Sequence, residues 1–244
     1  MTEQAQSDEE QQQSRGRPPG VFDEAFLTGV EGVTELLLIR HAQQYIDVYG
    51  VAADWVDPPL TEHGEAQARL LAQALSTTNI DAIFASPLKR TQGTAQPLAD
   101  VHRLPIQTVE DLREVEVFRE VPPDVTVRDY LGEDLLNAVR QRMIVERNWD
   151  VYPHSEPSYD FNKRVINAIE AIVAKNAGER VAVVCHGGVI NAYCGHIIGA
   201  RYDMFFRPAH SSVNIVAVGG GRRIVRSLND IHHLRTAEGD FLTY

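Results

Sequence analysis

The chain has 244 residues, 43% of them hydrophobic, which suits one good-sized domain with a full core. A formal net charge of −11 and the lack of any long basic run argue against nucleic acid or an anionic membrane as partner. The two cysteines, Cys185 and Cys194, exclude a disulfide framework and suit a reducing compartment. No apolar run approaches the ~20 residues of a membrane span, and residues 1–13 lack a signal-peptide core, so the expected setting is cytoplasmic.

Residues 1–30 read as a disordered N-terminal tail, dominated at first by Gln, Glu and Ser and then by Arg, Pro and Gly, too polar to offset the entropy of ordering. Residues 31–244 form the domain. Residues 35–39 are a continuous apolar strand of the kind buried on both faces. Thr61 caps a helix to about residue 75, with Ala66, Leu70, Leu71, Ala74 and Leu75 on one face. Residues 80–85 form the next strand. Ser86-Pro87 predicts a helix start, Ser86 as cap and Pro87 in the first turn, running to about residue 102. Residues 106–112 read as a strand. Residues 117–157 then break the rhythm with several prolines and two charged helical patches, and read as an inserted helical lid.

A helix over 161–177 is closed by Gly178, and a second fully buried strand spans 180–185. A helix over 189–198 ends at Gly199. Residues 212–218 and 223–227 flank Gly219-Gly220-Gly221 as a hairpin. Alternating elements of this kind predict an α/β fold with a largely parallel sheet and helices on both faces.

Chemistry-bearing residues recur at predicted strand ends: Arg40-His41, Arg90, Glu114 and His186-Gly187-Gly188. Parallel strands bring those ends to one edge, where α/β sheets bind ligands. Arg40 and Arg90 offer planar forks matched to phosphate oxygens, and His186 adds a donor. Gly187 and Gly188 open a helix, whose free backbone amides favour an anion, and without side chains they let it approach closely. His41 beside two arginines is expected to be neutral, as a nitrogen nucleophile must be. Glu114, desolvated near a phosphate dianion, is the expected proton donor to the leaving alkoxide; Glu110, Glu116 and Glu120 are its rivals. Attack on phosphorus by His41 would give a phosphohistidine, which water then hydrolyses.

The remaining histidines carry less. His63, His102 and His196 fall in or near helices, and His232-His233 lacks partners at zinc spacing, so no metal is expected. His210, at a strand start, is a candidate pocket-lining residue. Cys185 and Cys194 read as buried thiols.

These residues carry a resemblance. Leu38-Ile39-Arg40-His41-Ala42-Gln43, Pro59-Leu60-Thr61-Glu62-His63-Gly64, Ser86-Pro87-Leu88-Lys89-Arg90-Thr91, Leu112-Arg113-Glu114 and Val184-Cys185-His186-Gly187-Gly188 occur in the order found in the histidine phosphatase superfamily, which has the phosphoglycerate mutase-like fold. The likeness spans roughly residues 34–230. It implies a three-layer α/β/α sandwich with a mostly parallel central sheet. His41 would be the phosphorylated nucleophile and Glu114 the acid. Arg40, Arg90 and His186 would bind the phosphoryl group, with Gln43 and Gly187 as further substrate contacts. No metal or organic cofactor is implied.

The chain departs from the family's usual pattern at Ala42, where glycine is common, and at Gln44, where Ser, Thr or Asn is common. Gly187 stands where the acid-phosphatase branch has aspartate, which directs the acid role to Glu114. The expected activity is metal-independent hydrolysis of a small phosphorylated substrate. Mutase-type phosphoryl transfer and a non-catalytic phosphate-binding regulator are the alternatives. Among the lid's Arg119, Arg128, Arg140, Arg142, Arg147, Trp149, Tyr152 and Tyr159, one or two are expected to select substrate. The oligomeric state stays open between monomer and homodimer.

Overall fold

Seven residues ending at Arg40, just before His41, form the first strand, β1 (Thr34–Arg40). The computed structural model describes residues 18–47, 49–237 and 239–244. It completes a six-stranded sheet with β2 (Ala82–Ala85), β3 (Ile106–Thr108), β4 (Arg180–Cys185), β5 (Val213–Gly219) and β6 (Arg222–Asp230), ordered β3-β2-β4-β1-β5-β6. The first four strands are mutually parallel, and β5 runs antiparallel to both β1 and β6.

Alternation along the central strands sorts the core into two layers. Leu36, Leu38, Val181 and Val183 face helices α7 (Ser158–Lys175) and α8 (Gly187–Ile198), meeting Phe161, Val165, Ile169, Val189 and Ile190. Leu37, Ile39, Ala182 and Val184 face α3 (Glu62–Ala74) and α4 (Lys89–His102), meeting Leu71, Ala72, Ala95, Leu98 and Ala99. The expected α/β/α sandwich is therefore present, its two central strands apolar on both faces. Among the described residues no helix is long and apolar enough to cross a membrane.

The local signals resolve unevenly. Thr61 caps α3 as expected, its hydroxyl accepting Gly64 N–H at 2.9 Å, and Gly199 closes α8 in the left-handed region at φ 66°. The strand expected over 106–112 stops at Thr108 and gives way to a 3-10 turn, Glu110–Leu112. β3 is an edge strand whose last partner, Ala85, is the end of β2, so no ladder remains to extend it. Ser86 is not a helix cap. Leu88 takes that place and α4 begins at Lys89, with the Ser86 hydroxyl shared between Leu88 N–H at 3.4 Å and His186 Nε2 at 2.9 Å.

Residues 1–17 of the expected tail lie outside the described residues. Within the expected tail, α1 (Val21–Phe26) buries no residue and leads into Leu27, which is 1% exposed and whose carbonyl accepts from Arg226. Two short helices, α2 (Ala52–Val56) and α5 (Val127–Leu131), and a longer one, α6 (Glu133–Glu146), complete the helical set. α5 and α6 lie within the insertion over 117–157.

Candidate active site

Strand register sets the site. Arg40 is level with Cys185, and Ala85 with both Val184 and Thr108, so the residues that follow these strands emerge together at one sheet edge. His41 N–H donates to the Cys185 carbonyl at 2.9 Å, and the His41 and His186 rings lie 5.2 Å apart. β5 enters this edge from the opposite direction, its approach tied down by Ser211 N–H donating to the Arg40 and His41 carbonyls.

Hydrogen-bond partners assign the two imidazoles different tautomers. His41 Nδ1 lies 2.8 Å from the Ala42 carbonyl, an acceptor only, so Nδ1 carries the proton and Nε2 keeps its lone pair. His186 Nε2 lies 2.9 Å from the Ser86 hydroxyl. The Ser86 hydroxyl accepts from Leu88 N–H and has no other acceptor for its own proton among the described residues, so it donates to His186 Nε2, and the ring proton of His186 sits on Nδ1. That Nδ1 is buried and has no partner. Burial first, then His186, Arg40 and Arg90, hold His41 well below the usual imidazole range. Burial followed by Arg90, Arg40 and Arg164 does the same to His186. Both rings are neutral at pH 7, His41 with an unprotonated Nε2 and His186 with its proton on Nδ1.

Arg40 and Arg90 are each held by one carbonyl. Arg40 Nη1 donates to Pro208 O at 2.5 Å, and Arg90 Nη1 to Val56 O at 3.3 Å. Each guanidinium leaves a buried Nε with no partner. Burial lowers Arg40 to about 10, opposed by Glu114 and aided by Arg207 and Arg90, so it is a cation at neutral pH. Burial also lowers Arg90, against the pull of Glu114 and Asp57.

The four glutamates are held in different ways. Glu114 Oε2 accepts Gly188 N–H at 3.0 Å and Oε1 accepts Val115 N–H at 3.0 Å, which pins its carboxyl to the first turn of α8. Glycine at 188 leaves room for this carboxyl, since a Cβ there would stand 2.2 Å from Glu114 Oε1. Glu116 instead pairs with Arg113 and Arg119, and Glu120 with His154, while Glu110 opens the 3-10 turn. The Glu114 segment is itself bracketed by Arg164, which donates to the carbonyls of Asp111, Arg113 and Glu114 and makes a two-pronged pair with Glu156.

Gln43 is fixed from both ends. Its N–H donates to Gln67 Oε1 at 2.9 Å, and its side-chain oxygen accepts from Thr61 Oγ1 at 2.8 Å. Its carbonyl lies 2.1 Å from where a Cβ on Gly64 would sit, which explains the glycine in the first turn of α3. Ala42 is fully buried and its N–H donates to Thr94 Oγ1. Gln44 forms an isolated bridge with Leu60 and leaves its Oε1 buried without a partner.

His210, which the sequence offered only as a lining residue, is 4% exposed with its ring 5.6 Å from that of His41. His63 stacks on Phe241, and His233 bonds Ser211. Sequence reasoning gave no role to Thr94, Gln67, Arg164 or Thr243. The Ser-Pro start and the mid-helix Gln and Thr were the only visible hints, because their partners are remote in sequence.

Residues of the expected 117–157 insertion line parts of two cavities. One of about 410 Å³ is lined by Tyr49, Trp55, Phe118, Arg128, Arg140 and Tyr152, and Trp55 precedes the residue whose carbonyl holds Arg90. The other, about 370 Å³, has Arg147, Trp149, Tyr152, Phe206 and Arg207 in its wall. Arg119 and Arg142 are exposed and pair with Glu116 and Glu146, and Tyr159 is 73% exposed, so these are solvated positions.

Two cations, two neutral imidazoles and a pinned carboxyl at the strand ends of an α/β/α sandwich make up the architecture of a phosphoryl-handling enzyme. The sequence profile of the histidine phosphatase superfamily (branch 1) matches residues 36–231, and the chain belongs to that superfamily. It is 28% identical over 208 residues to phosphoserine phosphatase 1 of Hydrogenobacter thermophilus, covering 83% of this chain and 95% of that one. It is 30% identical over 205 residues to a metal-independent phosphoserine phosphatase of Arabidopsis thaliana, covering 83% and 84%. The solved YhfR structure of Bacillus stearothermophilus superposes with a TM-score of 0.69 at 26% identity, covering 82% and 98%.

Proposed function

We propose that this histidine phosphatase hydrolyses small phosphomonoesters through a phosphohistidine on His41. The observation that carries the reading is the pairing of a nucleophile-ready His41 Nε2 with unpartnered donors on Arg40, Arg90 and His186. In the first step Nε2 bonds to phosphorus as the ester P–O bond breaks, and Glu114 gives its proton to the departing oxygen. In the second, water attacks phosphorus, the P–N bond breaks and Glu114 takes the water's proton. Arg40, Arg90 and His186 hold the equatorial oxygens through both steps. Gly187, where a Cβ would lie 3.8 Å from Arg40 Nε, borders the same space, and Gln43, two residues after His41, is a further proposed contact.

Hydrolysis is favoured over mutase-type transfer by the two phosphatases that share most of this chain's length. A purely regulatory phosphate binder would have no need for a carboxyl pinned beside α8. Phosphoserine, on which those relatives are named, is the first substrate to test. The cytoplasm is the setting that the two buried, unpaired cysteines and the acidic charge support. The test is trapping: rapid quench with labelled substrate should give an acid-labile phosphoryl adduct on His41, absent from His41→Ala. Full hydrolytic activity in His41→Ala would sink the reading.

A further inference from the structure

Arg40 Nε, Arg90 Nε, His186 Nδ1 and His210 Nε2 are all buried in the described structure without a hydrogen-bond partner. An orphaned buried donor costs on the order of 1–3 kcal/mol, so several in one place point to an acceptor that arrives with the ligand. Three of these groups belong to the phosphoryl site described above. The fourth, His210, does not yet have a role.

His210 is brought to the site by the reversal of β5. The loop before that strand hands Pro208 O to Arg40, places Ser211 N–H on the Arg40 and His41 carbonyls, and leaves His210 between them. Its ring lies 5.6 Å from His41, close to the 5.2 Å that separates His186 from His41.

A chain of bonds sets which nitrogen of His210 carries the proton. Gln43 N–H donates to Gln67 Oε1, so the other end of that amide, Nε2, is the donor. It donates to Phe241 O at 2.6 Å and to Thr243 Oγ1 at 2.9 Å. Thr243 Oγ1 thus accepts from Gln67, and its own proton goes to its remaining partner, His210 Nδ1, at 2.9 Å. The His210 backbone N–H meets the Thr243 carbonyl at 3.0 Å and holds the two residues in register. His210 Nδ1 is an acceptor, and the ring proton sits on the orphaned Nε2. Burial, then Arg40, Arg207 and His63, lower this ring to about 3, so it is neutral at working pH.

We propose that His210 is a third phosphoryl-binding histidine, its Nε2–H donating to a substrate phosphoryl oxygen in the tautomer that Thr243 fixes. The arrangement mirrors His186 and Ser86: a hydroxyl donates to one ring nitrogen and presents the other as N–H. His41, whose Nδ1 faces a carbonyl, is set the opposite way. The proposal rests on the phosphatase reading.

The test uses the full chain, an aryl phosphate as substrate and orthovanadate as the probe of the phosphoryl site. His210→Leu should lower kcat/KM and vanadate affinity by roughly 10²-fold, the scale for one lost oxyanion donor. Thr243→Val should lower both by about 5–10-fold, and Thr243→Ser should restore them, because the hydroxyl rather than the methyl orients the ring. Thermal unfolding checks each variant, and if His210→Leu fails to fold, the Thr243 pair decides. Vanadate affinity within twofold of the wild type in folded His210→Leu or in Thr243→Val overturns the proposal, as does a Thr243→Ser loss equal to that of Thr243→Val. An inactive wild type would refute the phosphatase reading instead, while vanadate binding would still report on His210.

Discussion

Gly188→Ala isolates the general acid without touching it. A Cβ at Gly188 would stand 2.2 Å from Glu114 Oε1 and 3.1 Å from its Cδ, where ordinary contact begins near 3.4 Å, so the carboxyl must retreat by about 1.2 Å. The Phe161 ring, 3.2 Å away at Cζ, need yield only a few tenths of an ångström. Misplacing a catalytic group by about 1 Å costs roughly 10²-fold. The loss should scale with the leaving group's need for a proton. An alkyl phosphate, whose alkoxide leaves poorly, should lose roughly 10²-fold in kcat/KM, and a nitroaryl phosphate less than about 10-fold. Stability should hold, since alanine is a better helix former than glycine by about 1 kcal/mol in a helix interior and Gly188 sits in the first turn of α8. The assay is kcat/KM across a leaving-group series beside a thermal melt. Equal losses for both esters, or less than threefold for the alkyl ester, would refute the placement of Glu114 as proton donor.

Two further outcomes follow from the same geometry. Arg164→Met removes the two-pronged pair with Glu156 and three donors to the Glu114 segment, and should cost about 3 kcal/mol in denaturant unfolding, the lower end for breaking a buried pair. It should also steepen the leaving-group dependence; an unchanged midpoint with unchanged kinetics would show that Arg164 braces nothing. Stability should also fall in acid. His41, His186 and His210 are held neutral far below about 6.5, whereas the unfolded chain binds their protons as pH drops through that value. The unfolded state binds more protons there, so stability is full above about 6.5 and declines below it. Each ring contributes at most about 1.4 kcal/mol per pH unit, so the three together give a steep fall between pH 6 and 5, above the range where Glu156 and Glu170 protonate. Denaturation curves that coincide at pH 7.5 and 5 would contradict this.

Strand-end chemistry is legible in the order of the residues. Apolar runs ending in Arg40-His41 and Cys185-His186 carry their own period and their own stop, and parallel pairing then leaves little choice but to gather their ends. Caps are legible where the bond is local, as at Thr61 with Gly64 three residues on. The same residue type misleads about where α4 begins at Ser86, whose hydroxyl is shared between Leu88 N–H and a histidine 100 positions away.

Burial periodicity, turn glycines and motif spacing are properties of neighbouring residues, so the α/β/α class and the strand-end cluster follow from the chain by itself. The pinning of the Glu114 carboxyl, the tautomer of His186 and the approach of His210 do not. They depend on single hydrogen bonds from Gly188, Ser86 and Thr243. Such bonds join segments 33 to 100 residues apart in the chain, and they exist only after the sheet has packed its ends together.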